Sequence, residues 1–371
     1  MHEGLYIGLM SGTSADGVDA ALVELRHRSI LLIASTVKEY GPQLRSAVTE
    51  LNNKPKIDLA DYIRLDNYVA RSFASAVSQL LAESTVAAAD IIAVGSHGQT
   101  LYHLPNDPLG GTLQIGNPNL IAAMTGIDTI ADFRGADMAQ GGQGAPLAPA
   151  FHASVLGNGE PRAVVNLGGI ANITILNGPS GETLGYDTGP ANSLMDLWCQ
   201  KYTGEPFDRN GAWARSGSVN AELLNNMLLD PFFNAPAPKS TGLDYFNYEW
   251  LASYLGNSAD RAENVQATLL ELTALSITKE IHRQLPDNGS LLLCGGGAHN
   301  SFLAERLGAL LGSDFTVAPT SDYGIDVDFC EAMAFAWLAF RHKSGLPGNL
   351  TTVTGAAQPV VLGGFYPAPK N

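Results

Sequence analysis

Charge is scarce in this 371-residue chain. Charged residues make up 15% of it, against a usual share of ~25% in soluble domains. Basic residues are the rarer kind: 21 Lys and Arg stand against 36 Asp and Glu, a formal net charge of −15. That balance excludes a general nucleic-acid binder, whose footprint is a basic patch. It leaves nucleotide binding open, because backbone N–H groups and a metal ion hold phosphate without basic side chains. Cysteine is nearly absent, with Cys199, Cys294 and Cys330 scattered and odd in number. Neither a disulfide framework nor a metal-ligand spacing is present, so a reducing cytoplasm is the expected compartment. No apolar run approaches the ~18 residues of a spanning helix. No membrane partner is therefore expected, and the N-terminal MHEGLYIGLM, lacking a basic region followed by a long apolar run, is not expected to be a secretory signal. The Walker pattern GxxxxGK[ST] occurs nowhere. Disorder is excluded too, since 45% of the residues are hydrophobic.

What is abundant is glycine, 40 residues, and it clusters. Gly-rich stretches close apolar runs at 6–25, 93–103, 163–176 and 291–300, each reading as a buried strand that ends where the backbone must turn or approach something closely. Helical patterns lie between them. Tyr62, Leu65, Val69, Phe73, Val77 and Leu80 mark one face over 60–82, and Val265, Leu269, Leu272 and Leu275 mark another ending near Pro286. Asn300 or Ser301 caps a third, with Leu303, Leu307 and Leu310 as its apolar face. Cys330–His342 reads as a mostly apolar helix stopped by Gly345. Alternating strands and helices predict an α/β protein with mainly parallel or mixed sheets, and the length predicts two domains. YIGLM–SGTSADG–VDAALVEL and AVVNL–GGIAN–ITIL are both strand, tight turn, strand. They are either the two copies of a duplicated fold or two unrelated hairpins. The Gly/Pro/Ala stretch 132–149 is expected to be a long loop serving as hinge or cleft lining, and 345–371 a surface tail.

Several residues in these segments can carry chemistry. Gly12, Thr13, Ser14, Ala15, Asp16 and Gly17 place glycines, hydroxyls and a carboxylate in one turn; the N–H groups and hydroxyls suit phosphate, and Asp16 can hold Mg²⁺ through water. An ordinary Ser/Gly/Asp hairpin has the same composition. Gly168, Gly169 and Asn172 offer a second set of donors. Gly295, Gly296 and Gly297 leave flat backbone that suits adenine or ribose, or simply a tight strand-to-helix turn. Asp187 precedes Pro190, which suits the first turn of a helix. It is therefore either a base projecting at the sheet's mouth or a helix cap. Arg134 and Glu331 are either ligand contacts or surface ion-pair members. His97 can donate to a substrate hydroxyl or be a buried, satisfied histidine. His97 and His103 have no third ligand in range, which excludes zinc.

Taken together and in order, LMSGTSADGVD (9–19), GSHGQT (95–100), DFR (132–134), QGGQGAPL (140–147), NLGGIAN (166–172), DTGPAN (187–192), CGGGAHN (294–300) and EAMAFAWLA (331–339) closely resemble the anhydro-N-acetylmuramic acid kinase family. Ala15 departs from the family's usual Met and reads as a packing position. The resemblance implies the two-domain acetate and sugar kinase/Hsp70/actin-like (RNase H-like) fold, with an interdomain cleft. The expected division is 1–131, with the first phosphate hairpin, and 132–371, with the second hairpin, the catalytic aspartate and the adenosine loop. It implies ATP, with Mg²⁺ carried by the nucleotide, as cofactors, an amino-sugar substrate and a homodimer. Gly12–Asp19, including Val18 and Asp19, would embrace the β- and γ-phosphates. Asp187 would activate water at C1 of the sugar, while Arg134, Glu331, His97 and Asn192 would contact the substrate. The alternatives are a conventional sugar kinase acting on a free hydroxyl and a nucleotide-dependent regulator of the same fold.

Overall fold

The computed structural model describes residues 2–12, 14–26, 29–53, 55–178, 180–256 and 260–369. Thr13, one of the expected phosphate-binding residues, lies outside the described residues. The strands are β1 (Gly4–Ser11), β2 (Gly17–Arg26), β3 (Ser29–Glu39), β4 (Ile91–His103), β5 (Thr112–Ile115), β6 (Thr129–Ala131), β7 (Arg162–Leu167), β8 (Ile170–Leu176), β9 (Leu184–Pro190), β10 (Gly289–Cys294), β11 (Phe315–Pro319) and β12 (Gly364–Tyr366). The chain divides into two compact units, the first built from 1–155 and 324–371, the second from 156–323.

In the first unit the strand order is β12-β6-β4-β1-β2-β3, with β5 beside β4. β1, β2 and β3 form an antiparallel meander, β4 runs parallel to β1, and β6 parallel to β4. In the second unit the order is β11-β10-β7-β8-β9. Again three strands meander, β10 runs parallel to β7, and β11 parallel to β10. Both units thus share one plan, a hairpin-led meander followed by two parallel strands on the far side. That decides for the duplicated fold and gives each half the RNase H-like strand order.

The helices follow the apolar stripes. Asp58 accepts from Ala60 N to open the helix Leu59–Ser84, which buries Leu65, Val69, Phe73, Val77 and Leu80, roughly 1.5–3 kcal/mol for each large apolar side chain. In the second unit Ala262–Gln284 is the central helix, buried on most of its circumference. Asn300 Oδ1 accepts from Leu303 N at the start of Ser301–Leu311, whose buried face is Leu303, Leu307 and Leu311 rather than Leu310.

Three expectations change. The division lies at 155/156 rather than 131/132, and the segment 324–371 belongs to the first unit. Its helix Cys330–Lys343 packs on that unit's sheet and is buried continuously from Ala332 to Phe340. The stretch 345–371 is no tail, because β12 pairs antiparallel with β6 and Leu362 is buried. The stretch 132–149 is not all loop: Phe133–Met138 is helical. Asp132, at φ +57°, turns the chain into it from β6, a conformation that aspartate tolerates better than most residues.

Candidate active site

In the first unit the candidate residues gather around the β1–β2 turn. Ser11 Oγ lies 2.7 Å from both Gly17 O and Gln99 Oε1, and Gln99 Nε2 donates to Gly12 O over 3.1 Å. Gln99 is fully buried, so the turn is strutted from β4 beneath it. Among the described residues a side chain at Gly12 would meet only Ser14 Oγ, at 3.9 Å, whereas one at Gly17 would come within 2.5 Å of Lys38 O on β3. Gly12 is therefore the glycine that leaves room for a ligand, and Gly17 is required by packing. Val18 is buried in the core, as is Ala15, at φ +51°, which agrees with a packing role for that position.

Asp16 is exposed and paired with Arg45. The carboxylate that the fold crowds is Asp19, pushed up to about 6 by burial first, then by the charges of Glu331, Asp328 and Asp16.

Arg134 is held by two partners through all three of its nitrogens. Its Nε and Nη2 lie 3.1 and 2.9 Å from His97 Nε2, and Nη1 donates to Gly144 O over 2.8 Å. Gly144 N donates in turn to Asp137 Oδ2, while Asn349 and Thr354 donate to Asp137 Oδ1 at 2.7 Å. His97 is buried, and its pKa is held well below the ordinary value by burial and by Arg134. It is thus a neutral acceptor for the guanidinium through Nε2, which places its proton on Nδ1, a buried atom with no hydrogen-bond partner among the described residues. Glu331 opens the helix Cys330–Lys343. Removal of its carboxyl from water raises its pKa and the Arg134 charge opposes the rise, while its own charge raises Asp19, so it belongs electrostatically with Arg134 and Asp19.

In the second unit the β7–β8 turn is tied to the following helix, Asn192–Thr203. Gly169 O accepts from Ala191 N and Ser193 N, and Gly168 O from Asn192 N. Asn192 Nδ2 donates to Leu167 O over 2.8 Å, which orients the amide on this turn and leaves its second N–H and Oδ1. Gly295, at φ +76°, and Gly297 are packing glycines. Side chains there would come within 2.2 Å of Asn166 Oδ1 and 2.6 Å of Leu167 Cβ, respectively, while Gly296 faces open space.

Asp187 sits in the middle of β9, paired with Asn172 of β8, not at a helix start. Pro190 ends the strand, which the sheet tolerates because β9 is an edge. The N-cap position, Ala191, has no side-chain cap bond, and Thr188 Oγ1 donates to Ala171 O. Neither Asp187 nor Thr188 is a helix cap. Thr241 N donates to Asp187 Oδ2 over 3.0 Å, and Asp187 N to Lys239 O over 3.0 Å. Burial pushes Asp187 up to about 6, the Thr241 N–H pulling the other way. Among the described residues Oδ1 accepts no hydrogen bond, leaving one oxygen free to take a proton. The 239–241 segment was not singled out from sequence. Its signal was a lone Lys in a Pro-rich loop of a chain poor in cations.

The family model for anhydro-N-acetylmuramic acid kinase matches residues 4–368. The chain belongs to the anhydro-N-acetylmuramic acid kinase family. An anhydro-N-acetylmuramic acid kinase of Shewanella sp. (strain MR-7) is 49% identical over 371 residues, 99% of this chain and 100% of that one. One of Xanthomonas campestris pv. campestris (strain 8004) is 49% identical over 372 residues, 99% and 98% of the two. Among solved structures, component A of the (R)-2-hydroxyglutaryl-CoA dehydratase of Acidaminococcus fermentans aligns with a TM-score of 0.49 and 12% identity, covering 92% of this chain and 99% of that one. No described helix of this family member is long and apolar enough to cross a membrane.

Proposed function

We propose that this chain is an ATP-dependent kinase that opens the 1,6-anhydro ring of 1,6-anhydro-N-acetylmuramic acid with water and phosphorylates O6. The products are N-acetylmuramic acid 6-phosphate and ADP, and the reaction belongs to peptidoglycan recycling. The observation that carries this reading is the relation at 49% identity, end to end, to curated kinases of that name. The three cysteines are buried and none is in a disulfide, which suits a reducing cytoplasm.

The reaction's proton economy explains why one base is enough. An ordinary sugar kinase must deprotonate the hydroxyl that attacks phosphorus. Here O6 bridges to C1 and carries no proton. Water attacks C1 and gives a proton to Asp187; the C1–O6 bond breaks; O6 takes the γ-phosphoryl group and ADP leaves. The phosphoryl group thus replaces the general acid that a glycosidase needs. Asp187 suits the base's task, with a free Oδ1 and a pKa raised toward working pH. The N–H groups near Gly12, Gly168 and Gly169 would stabilise phosphoryl charge. Arg134, pinned by His97 and Gly144, would meet an anionic or carbonyl group of the sugar, with Glu331 beside it. Magnesium suits Asp19 and Asp16: both are hard oxygen donors, and the crowded Asp19 gains from a divalent cation. Bound there with ATP, the ion would neutralise phosphate charge.

The test supplies ATP with and without the anhydro sugar. ADP release should require the sugar, with ³¹P signals of a 6-phosphate appearing in step. ADP release indifferent to the sugar would instead mark a nucleotide-dependent regulator.

A further inference from the structure

Glu280 lies on the central helix of the second unit, and its side chain is 1% exposed. An isolated carboxylate there would be very costly, so what it holds matters. Lys239 Nζ donates to its Oε1 over 3.1 Å, and Tyr186 OH to its Oε2 over 3.2 Å. Arg283 Nη1 lies 3.2 Å from both oxygens. Two of these three partners flank Asp187. Tyr186 is its neighbour along β9, and Lys239 is the residue whose carbonyl receives the Asp187 N–H. Lys239 is fixed further by donating to Phe232 O over 3.1 Å. Two residues on, Thr241 N donates to the Asp187 carboxylate. The bare edge of β9 is thereby closed by the 239–241 segment, and Glu280 grips both sides of that closure.

Replacing a buried ion pair with apolar residues is often neutral or stabilising, so stability alone is a weak reason for this one. Direction is a better one. We propose that Glu280 is a positioning residue for the catalytic base: by gripping Tyr186 and Lys239 together it aims the Asp187 carboxylate and keeps the Thr241 N–H on Oδ2. The inference rests on Asp187 being the base. The charged or titratable groups against Glu280 are Lys239, Arg283 and Tyr186. Among the described residues the only polar contact of the Asp187 carboxylate is Thr241 N.

The experiment compares Glu280→Gln, the apolar pair Lys239→Met/Glu280→Leu, and Tyr186→Phe in the full chain. Expected is a fall in kcat of roughly 10–100-fold for the first two, the scale of a small misplacement of a reacting group. The KM for ATP should stay within about twofold, because the base makes no contact with the nucleotide in this account. The acid limb of kcat/KM should move upward, since Asp187 loses the donor that holds its pKa down. Lys239→Arg, which keeps the pair, should stay much nearer wild-type kcat than the apolar pair does. Tyr186→Phe removes one hydroxyl, leaves the fold's volume intact, and should show the same limb shift at smaller amplitude. It carries the test if the Glu280 variants do not fold. A folded apolar pair, or a Tyr186→Phe variant, with unchanged kcat and an unmoved limb overturns the proposal. Should Asp187→Asn itself turn over normally, it is the assignment of the base that fails instead.

Discussion

Asp187→Asn should lower turnover roughly 10²–10⁴-fold, the range for removing a general base, while ATP binds nearly as before. The substitution keeps the side chain's size and its acceptor toward Thr241 N, so little but the base is lost. It should also stabilise the protein. Moving this acid from its ordinary 3.8 to about 6 costs the folded state at most about 3 kcal/mol above that pH. Since the carboxylate is only half-buried, about 1–2 kcal/mol is the gain expected in the amide variant. The sign follows from proton binding. Between the two values the folded protein holds a proton that the unfolded chain has lost, so wild-type stability falls as pH rises through that window and Asp187→Asn removes the fall. Activity runs the other way, because the base must be ionised: kcat/KM should drop about tenfold for each pH unit below about 6. Steady-state kinetics and thermal melts across pH 4–8 check both halves. A variant that loses stability together with activity would mean that Asp187 holds the fold, not the water.

Gly8→Ala should be among the most damaging single substitutions in the first unit. Gly8 of β1 and Gly95 of β4 are register partners, and the helix Cys330–Lys343 lies directly on them. A methyl group at position 8 would come within 1.7 Å of Ala332 O, and one at 95 within 2.1 Å of Phe335 O. Both collisions are with backbone, so no rotamer change relieves them; the helix must lift or the strand must bend. Overpacking usually costs 1–3 kcal/mol, and an unrelievable backbone clash should reach roughly 4 kcal/mol or more. At ~2–4 °C per kcal/mol for a unit of this size, melting should drop by about 10 °C. Function suffers with stability, because Glu331 is the residue before Ala332 and any lift of the helix carries it away from Arg134 and Asp19. Gly12→Ala, by contrast, meets among the described residues only Ser14 Oγ at 3.9 Å and should melt near wild type. Equal melting losses in the two variants would contradict this division between packing and ligand-side glycines.

That division is also where sequence reading stopped short. Strand hairpins, apolar helix stripes and their order along the chain are local patterns, and they were legible. Which glycine faces a ligand is not local: Gly8, Gly17, Gly95, Gly295 and Gly297 all make room for other protein backbone or side chains, and only the partners' positions reveal it. Asp187 stood out as a carboxylate, but its place in a strand depends on pairing with Asn172, 15 residues upstream in chain order. Pro190 pointed to a helix start because an edge strand tolerates proline just as well. His97 read either as a donor to substrate or as a buried histidine, because nothing nearby in sequence announces Arg134, 37 residues on. The return of 324–371 to the first unit is a long-range contact that composition does not register.

The most direct measurement of the central claim is the fate of solvent oxygen. The anhydro sugar is turned over with ATP in H₂¹⁸O and sampled faster than the anomeric hydroxyl exchanges. Water attack at C1 predicts one ¹⁸O on C1 of the product and none in the transferred phosphate. Label absent from C1 while the 6-phosphate accumulates would contradict it, since the ring would then have been opened by some nucleophile other than the water that Asp187 activates.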